Sequence, residues 1–334
     1  MLASDFVYDL PESAIAQAAV EPRDSARLLD TRNLRDHGFA DLPGLLEAGD
    51  LVVINTTRVR KARLTATKDT GGAIELLLLT PLGDGSWESL VRPARRVRVG
   101  TRLIAGPVVL EVITSPREGV VVLSVVSGSL EDAVDAVGSV PLPPYFHGTL
   151  DDPERYQTVF AERTGSAAAP TAGLHFTRDV LADLDSRGIA VASIDLEIGL
   201  DTFRPIAATD LADHRMHRER VIVGEGLVDA VAAVRASGGR VVAVGTTAVR
   251  SLEAAAASGE LRPMDGHTDL FITPGYRFRV VDLLVTNFHV PGSTLIVLVA
   301  AFMGQEWRVA YETALRRGYR FLSFGDAMIA ERAA

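Results

Sequence analysis

The sequence predicts an α/β protein in which a large layered α/β domain is interrupted by an inserted small β-barrel domain. A hydrophobic fraction of 47% in 334 residues is enough for a large core. Between residues 65 and 144, short apolar runs alternate with glycine-rich turns, whereas helix and strand patterns alternate after residue 144. We therefore place the large, discontinuous domain at 1–64 and 145–334, and the insertion at 65–144.

The inserted segment consists of short β-rich runs that Gly-Gly, Gly-Asp-Gly and Arg-Pro turns separate. Several short strands at this spacing are typical of a small barrel. The predicted strands are 73–79, 87–91, 102–104, 108–114 and 120–126.

In the large domain, residues 10–50 are predicted to be helical or irregular, and a strand follows at 51–55. After residue 144, the alternation of helices and strands favours a largely parallel sheet. The clearest strands are 190–196, 240–244 and 282–285, and the clearest helices are 178–187, 226–236, 247–258 and 293–303.

Composition excludes several kinds of site. The chain contains no cysteine, which excludes disulfides, thiolate catalysis and cysteine-ligated metals. Acidic residues at Asp5, Asp9 and Glu12 stand where a secretory leader would be basic and then apolar, and the apolar stretch 295–302 is too short to cross a bilayer. We therefore expect a cytoplasmic protein without membrane contact, and a monomer by default.

The net charge of -9 argues against a chain-wide basic surface of the kind that neutralises nucleic-acid phosphates. Any contact with RNA would therefore be local. Residues 92–102 contain five arginines in eleven positions, and residues 58–63 form a second basic cluster. Both clusters also fit the solvated faces of strands.

Three polar segments fall where layered α/β proteins bind ligands. The small-residue run 165–176 contains His175 just before a predicted helix, so backbone amides there can approach a ligand closely. One strand runs into the Gly-Thr-Thr turn at 245–247, and another precedes Asn287 and His289. The same residues also fit an ordinary loop, a structural histidine and polar groups that satisfy buried backbone.

No metal site is expected. The segment 214–219 has a histidine and glutamate spacing, but it matches no metalloprotease pattern and has no cysteine partner. Asp326, after Gly325, is a further polar candidate that also fits a simple turn.

Short blocks form an ordered series along the chain: 8–17, 49–59, 141–145, 154–159, 169–176, 216–217, 245–247, 286–289 and 325–328. In this order they resemble the S-adenosylmethionine:tRNA ribosyltransferase-isomerases of queuosine biosynthesis. The resemblance implies a large α/β domain that a small β-barrel interrupts.

The resemblance also implies an unusual reaction. The exocyclic amine of 7-aminomethyl-7-deazaguanine, at the wobble position in the anticodon of tRNA, attacks the ribose of S-adenosylmethionine. Adenine and methionine leave, and the ring rearranges to the epoxycyclopentanediol of epoxyqueuosine. S-adenosylmethionine is then a ribosyl-donor substrate, and no metal or redox cofactor is required. A base that acts on the acidified C5' protons and a proton donor for the departing adenine are needed.

The resemblance and the residue types together assign candidate roles. The acid–base candidates are His175, Glu197 and His217. The candidates for substrate binding are Arg58, Pro170, Thr171, Ala172, Gly173, Asp201, Thr246, Thr247, Arg250, Asn287, His289 and Asp326.

One block departs from the family pattern. Where the family usually has Leu-His-Val-Gly-x-Gly-Thr-Phe, residues 196–203 read Leu-Glu-Ile-Gly-Leu-Asp-Thr-Phe, so Glu197 replaces a histidine and Asp201 a glycine. Two carboxylates beside a ligand would attract a cation or supply an anionic base. Three functions stay open: the family reaction, a paralogue that uses a free nucleobase or small amine as acceptor, and a tRNA-binding protein without catalysis.

Overall fold

The computed structural model describes residues 1–148, 150, 152–199 and 205–333. The chain forms two compact units, Met1–Arg58 with Pro143–Ala334, and Val59–Leu142. The smaller unit begins before the predicted residue 65, because Arg63 and Leu64 already pair with another strand of the barrel. It also ends two residues before the predicted position 144, at Leu142.

Strands and helices are numbered along the chain. The strands are β1 (Arg27–Asp30), β2 (Arg35–Gly38), β3 (Leu51–Asn55), β4 (Thr57–Val59), β5 (Arg63–Lys68), β6 (Ala73–Pro81), β7 (Trp87–Arg92), β8 (Arg102–Ala105), β9 (Val108–Val112), β10 (Val120–Ser127), β11 (Arg163–Ser166), β12 (Ala190–Leu196), β13 (Glu219–Val223), β14 (Val241–Val244), β15 (Met264–Thr268), β16 (Leu283–Asn287) and β17 (Ala327–Glu331). The α-helices are α1 (Leu130–Val137), α2 (Arg178–Ser186), α3 (Glu225–Ala236), α4 (Thr246–Ala255), α5 (Thr294–Met303) and α6 (Glu306–Arg316). Short 3-10 helices include Phe39–Leu45, Ala94–Arg96 and Thr171–His175.

The large unit is built on a nine-stranded sheet with the order β15-β13-β12-β3-β14-β16-β17-β1-β2. The central strands β12, β3, β14 and β16 run parallel to one another. Outside them, β13 pairs antiparallel with β12, and β17 pairs antiparallel with β16. The sheet is therefore mixed, and the prediction of a largely parallel sheet holds only for its centre.

The centre of the sheet is covered on both faces, which makes the large unit layered. All residues of β3, β14 and β16 are buried, as expected for parallel strands between two layers of helices. Alternate residues face opposite sides: Leu51 and Val53 pack in the core that contains α3, α4 and α5, whereas Val52 and Ile54 pack with α2 and the 3-10 helix Phe39–Leu45.

The smaller unit is a closed barrel with the strand order β10-β7-β6-β5-β8-β9. Each strand predicted for the insertion is present, with small differences at the ends. Two further elements, β5 and α1, were not predicted. In β5, alternate positions are polar and apolar over only six residues, so the pattern is short. Together with the layered large unit, this barrel confirms the predicted fold class.

The prediction was wrong for part of residues 10–50, which contain the paired strands β1 and β2. Each has four residues, and β1 is held in the sheet by parallel pairing with β17 near the opposite end of the chain. Local sequence carries no signal of such a distant partner.

In the described part of the chain, no helix is long and apolar enough to span a membrane.

Candidate active site

A cleft lies at the carboxyl ends of the central parallel strands, the edge at which open α/β sheets bind ligands. We use "the cleft" for the space that these residues line: Ala169, Pro170, Thr171, Ala172, Ile198, Gly245, Thr246, Thr247, Thr286, His289 and Leu295. Six predicted binding residues lie here together, namely Pro170, Thr171, Ala172, Thr246, Thr247 and His289.

The Gly-Thr-Thr turn forms one wall of the cleft, between β14 and α4. Gly245 has a φ of 85°, a backbone conformation that favours glycine, and its N–H donates to the carbonyl of Val285 at 2.7 Å. The turn lets α4 begin at Thr246, so its first backbone N–H groups lie at the cleft. Thr247 Oγ1 lies 3.3 Å from Asn55 Nδ2, which ties the turn to β3.

The small-residue run forms the opposite wall. Pro170, Thr171 and Ala172 line the cleft, whereas Gly173 is packed behind them. A Cβ atom on Gly173 would lie 2.9 Å from side-chain atoms of Phe160 and Thr158, so a larger residue cannot fit without a shift of these neighbours. Gly173 therefore packs behind the cleft wall, and its binding role stays a prediction.

His175 does not line the cleft. Its Nδ1 lies 3.2 Å from the carbonyl of Ala172, its Nε2 lies 2.9 Å from the carbonyl of Gly325, and its ring stacks on Phe39 at 4.9 Å. Burial lowers the pKa of His175, against the two carbonyl contacts and Asp326, which raise it. Because both nitrogens of the ring face backbone oxygens, His175 ties the small-residue run to the turn at Gly325. This geometry does not support the predicted acid–base role.

His289 is a buried, neutral imidazole at the edge of the cleft. Burial lowers its pKa to about 3, and its Nε2 lies 2.9 Å from Thr286 Oγ1. Two tyrosines fix its backbone: the N–H donates to Tyr311 Oη at 3.1 Å, and the carbonyl accepts from Tyr8 Oη at 2.5 Å. His289 can therefore hold a ligand by a neutral hydrogen bond.

Asn287 lines a second space, "the side pocket", which adjoins the cleft at Thr171, His289 and Leu295. Its Nδ2 donates to the carbonyl of Leu322 at 3.1 Å and lies 3.5 Å from that of Asp326. Its Oδ1 is buried and has no hydrogen-bond partner among the described residues.

Asp326 lies behind the side pocket rather than in it. Its carboxylate accepts from the backbone N–H of Arg27 at 3.0 Å and from that of Arg320 at 2.7 Å. These contacts fix the turn before β17. Asp326 therefore holds this turn, and its role in binding stays a prediction.

Beside Ile198, three side chains form "the charged cluster": His217, Glu219 and Arg250. Glu219 Oε1 lies 2.9 Å from His217 Nε2 and accepts from the backbone N–H of Gly199 at 3.1 Å, while Oε2 accepts from Arg250 Nη1. The Glu219 side chain is 2% exposed. Burial would raise its pKa, but Arg250 and His217 outweigh this and hold the pKa below its ordinary value.

Glu219 determines which nitrogen of His217 carries the proton. An ionised carboxylate only accepts hydrogen bonds, so His217 Nε2 must be the donor. In the neutral ring, Nδ1 is then the basic nitrogen. The ring lies against Gly199, where an added Cβ atom would be 3.5 Å from His217 Cδ2. At the other end of the cluster, Arg250 Nη2 is buried and has no hydrogen-bond partner in the described part of the chain.

The remaining predicted residues are not brought to the cleft. Glu197 packs against Gly165, where an added Cβ atom would lie 2.8 Å from its Cδ. Arg58 forms an ion pair with Glu154 at 2.5 Å. Asp201 lies outside the described residues. Within the described residues, no three histidine, aspartate or glutamate side chains are grouped so as to hold a metal ion.

Sequence reasoning gave no role in the site to Glu219 or to Ile198. A signal for Glu219 was present, because Glu219, Val221 and Val223 alternate along β13 and are all buried. A carboxylate on an apolar strand face needs a buried partner, and such pairs are frequent at functional sites.

Comparisons with known proteins show the family to which the chain belongs. The family model described as "Queuosine biosynthesis protein" matches residues 3–330. The S-adenosylmethionine:tRNA ribosyltransferase-isomerase of Carboxydothermus hydrogenoformans is 46% identical over 98% of this chain and 99% of its own length. That of Symbiobacterium thermophilum is 48% identical over 98% and 99%.

A solved structure is similar as well. The crystal structure of the S-adenosylmethionine tRNA ribosyltransferase from Thermotoga maritima is 36% identical, with a TM-score of 0.56 over 98% of this chain and 99% of that one. The resemblance of the ordered blocks is thereby confirmed over the whole chain. This chain belongs to the queuosine biosynthesis family of S-adenosylmethionine:tRNA ribosyltransferase-isomerases.

Proposed function

We propose that this enzyme transfers and isomerises the ribosyl moiety of S-adenosylmethionine onto 7-aminomethyl-7-deazaguanine in tRNA, giving epoxyqueuosine with release of adenine and methionine. The observation that carries the proposal is convergence: the blocks at 169–176, 245–247 and 286–289, distant in sequence, contribute residues to one cleft. A cytoplasmic monomer that acts on the anticodon region of tRNA is part of the proposal.

The charged cluster supplies the base that this chemistry needs. The sulfonium of S-adenosylmethionine acidifies the C5' protons, and His217 Nδ1 takes one of them. The imidazolium that forms is stabilised by Glu219, which stays ionised because Arg250 pairs with it. Gly199, which donates to Glu219, follows the cleft residue Ile198 directly, so the cluster adjoins the cleft.

Arg250 also has a donor left for the substrate. It follows Thr246 and Thr247 by one helical turn, and its buried Nη2 lacks a partner among the described residues. A planar guanidinium beside the first turn of a helix suits a carboxylate. We assign to Arg250, with the first backbone amides of α4, the binding of the methionine carboxylate.

The barrel carries the best candidate surface for tRNA. Arg92, Arg95, Arg96 and Arg98 are exposed and form no ion pair with described residues, whereas Arg102 lies 3.6 Å from Glu111. Unpaired arginines clustered in a chain of net charge -9 provide a local phosphate-binding surface.

The test is to incubate the enzyme with S-adenosylmethionine and tRNA that carries 7-aminomethyl-7-deazaguanine, and to follow adenine and methionine by chromatography and the nucleoside by mass. Adenine release together with epoxyqueuosine in the RNA is expected. A second arm replaces the tRNA with free 7-aminomethyl-7-deazaguanine. Turnover in that arm, unaffected by added tRNA, would contradict the proposal in favour of a small amine acceptor, and tRNA binding without turnover in either arm would indicate a protein without catalysis.

A further inference from the structure

A further space lies between the start of the chain and helix α6, within the large unit. We call it "the aromatic pocket", and it is lined by residues 7–9 and by six residues of α6 between 307 and 316. None of its described lining residues borders the cleft or the side pocket. Its volume of about 490 Å³ lies within the range of about 300–1,000 Å³ that small-molecule sites occupy. The pocket is therefore large enough for a ligand of its own.

Three aromatic side chains form the apolar wall of this pocket. Tyr8, Trp307 and Tyr311 contact one another edge to face, with ring centroids between 5.2 and 6.5 Å apart. The hydroxyl of Tyr8 donates to the carbonyl of His289, and the hydroxyl of Tyr311 accepts from the N–H of His289. Because both hydroxyls are engaged there, the tyrosines offer the pocket mainly the apolar surface of their rings. A large apolar group of a ligand would pack on this wall.

Charges of both signs border the same pocket. They are the carboxylates of Asp9 and Glu312 and the guanidiniums of Arg308 and Arg316, and none of the four forms an ion pair with another described residue. Along α6, Arg308, Glu312 and Arg316 follow one another at intervals of four residues. Opposite charges therefore alternate along one helix face at a spacing of about 6 Å. An apolar wall with unpaired charges of both signs beside it suits a zwitterion that carries an apolar side chain.

Arg308 is the best-placed group for a ligand carboxylate. Its guanidinium carbon lies 4.5 Å from the centre of the Trp307 ring, and its Nη2 donates to the backbone carbonyl of Asp5. These contacts hold the guanidinium at the pocket and leave further N–H groups for a ligand. One helical turn further on, the Glu312 carboxylate can accept from an ammonium group. The neighbouring positive and negative groups thus match the carboxylate and ammonium of an α-amino acid, which are joined through one carbon.

We propose that the aromatic pocket binds a free α-amino acid with a large apolar side chain. Its carboxylate pairs with Arg308, its ammonium group pairs with Glu312, and its side chain packs on the three aromatic rings. The two tyrosines of the wall also hold the backbone of His289, so an occupant of the pocket contacts groups that fix one edge of the cleft. This site is separate from the cleft, and it does not depend on the proposed function.

The experiment titrates the full-length enzyme with L-phenylalanine by calorimetry. Two analogues serve as matched probes: 3-phenylpropanoate lacks the ammonium group, and 2-phenylethylamine lacks the carboxylate. Saturable binding of L-phenylalanine is expected, and each analogue should bind about tenfold or more weakly, because one charge-assisted hydrogen bond is lost. Absence of saturable binding, or equal affinity for all three compounds, would overturn the proposal in the wild-type enzyme without any variant.

The emission of Trp307 reports where the amino acid binds. The chain has two tryptophans, and Trp87 lies on β7 of the barrel, so Trp87→Phe leaves Trp307 as the only one. Saturating L-phenylalanine should change the emission of this variant with the same dissociation constant that calorimetry gives. Binding by calorimetry without a change in emission would place the ligand elsewhere and contradict the assignment to the aromatic pocket.

A charge variant separates pairing from a general effect on folding. Glu312→Gln should weaken the binding of L-phenylalanine about tenfold or more and leave that of 3-phenylpropanoate unchanged, because only the first has an ammonium group. Glu306→Gln, at the first turn of α6 and outside the pocket lining, is the matched control and should bind as the wild type does. Equal losses for both compounds, or the same loss in the control, would overturn the role of Glu312.

A final arm separates the aromatic pocket from the cleft. Because the two share no described lining residue, L-phenylalanine should still saturate the enzyme in the presence of saturating S-adenosylmethionine. Competitive displacement of one by the other would place the amino acid in the cleft and overturn the proposal. Binding in every arm is measured without tRNA and without turnover, so its outcome is independent of ribosyl transfer.

Discussion

The side pocket and the charged cluster adjoin the same cleft, yet only the cluster contains charged side chains. The described lining of the side pocket is uncharged, and its histidine is held neutral by burial. The charged cluster buries a carboxylate and a guanidinium together, with side chains 2% and 5% exposed. The two regions of the site therefore differ in charge: one is lined by uncharged groups, and the other pairs a carboxylate with a guanidinium and an imidazole.

Buried charges persist only when they are paired and hydrogen-bonded. Glu219 accepts hydrogen bonds from Gly199, His217 and Arg250. By contrast, the two ring nitrogens of His175 face backbone carbonyls, and Nε2 of His289 faces the hydroxyl of Thr286. Among these histidines, His217 alone faces a carboxylate at hydrogen-bond distance, which makes it the best-placed proton acceptor.

The largest expected effect is on turnover in His217→Gln. Glutamine can still donate to Glu219 but offers no basic nitrogen, so adenine release should fall about 10²–10⁴-fold, the usual contribution of a general base. Binding of S-adenosylmethionine should change little. The matched control is His214→Gln, whose ring packs against Phe271. A similar loss in both variants would show that the segment matters only for folding.

Next in size is the effect of Glu219→Gln on stability. The variant leaves Arg250 buried without its counter-charge, and breaking such a pair costs about 3–5 kcal/mol of the free energy of unfolding. Urea unfolding measures this loss. The double variant Glu219→Gln with Arg250→Met should recover part of it, because the unpaired charge is gone. A single variant as stable as the wild type would contradict the picture of a tightly coupled buried pair.

The neutral state of His289 is tested by the pH dependence of the free energy of unfolding. In the folded protein His289 has a pKa of about 3, below the ordinary 6.5, so the unfolded chain binds the extra proton first. The contribution of neutral His289 to the free energy of unfolding is therefore complete above pH 6.5. As the pH falls towards 3, this contribution is lost by up to about 1.4 kcal/mol per pH unit. The stability difference between wild type and His289→Gln should shrink with this slope below pH 6.5 and stay constant above pH 7. A constant difference throughout would mean that His289 is not held neutral.

The smallest effects are expected in the barrel. Arg95→Ala and Arg96→Ala should each reduce the slope of log affinity for tRNA against log salt by about one unit. Arg102→Ala, which removes an arginine beside Glu111, should change the slope less. Equal effects at all three positions would argue against a specific surface.

Much of the fold could be predicted because its signals are local. The buried runs of β3, β14 and β16 and the turns of the barrel are continuous in sequence. The strands β1 and β2 could not be predicted, because β1 pairs with β17 and no short-range pattern encodes that contact.

For the site, the turn residues Thr246 and Thr247 and the small-residue run were predictable from their place between strand and helix. The direction of each side chain was not. His175, within the run, points at Gly325, and Glu197, adjacent to the cleft residue Ile198, packs on Gly165. A displacement of one to three residues along the chain thus separates side chains that line the cleft from side chains that pack behind it.

The central claim is that proton transfer belongs to the charged cluster and not to His175. The most direct test is the single-turnover rate of adenine release, with saturating S-adenosylmethionine and modified tRNA, in His217→Gln and His175→Gln at a temperature where both are folded. We predict a loss of at least about 100-fold for His217→Gln and of less than about tenfold for His175→Gln. The reverse order of losses would contradict the account and return His175 to the chemistry.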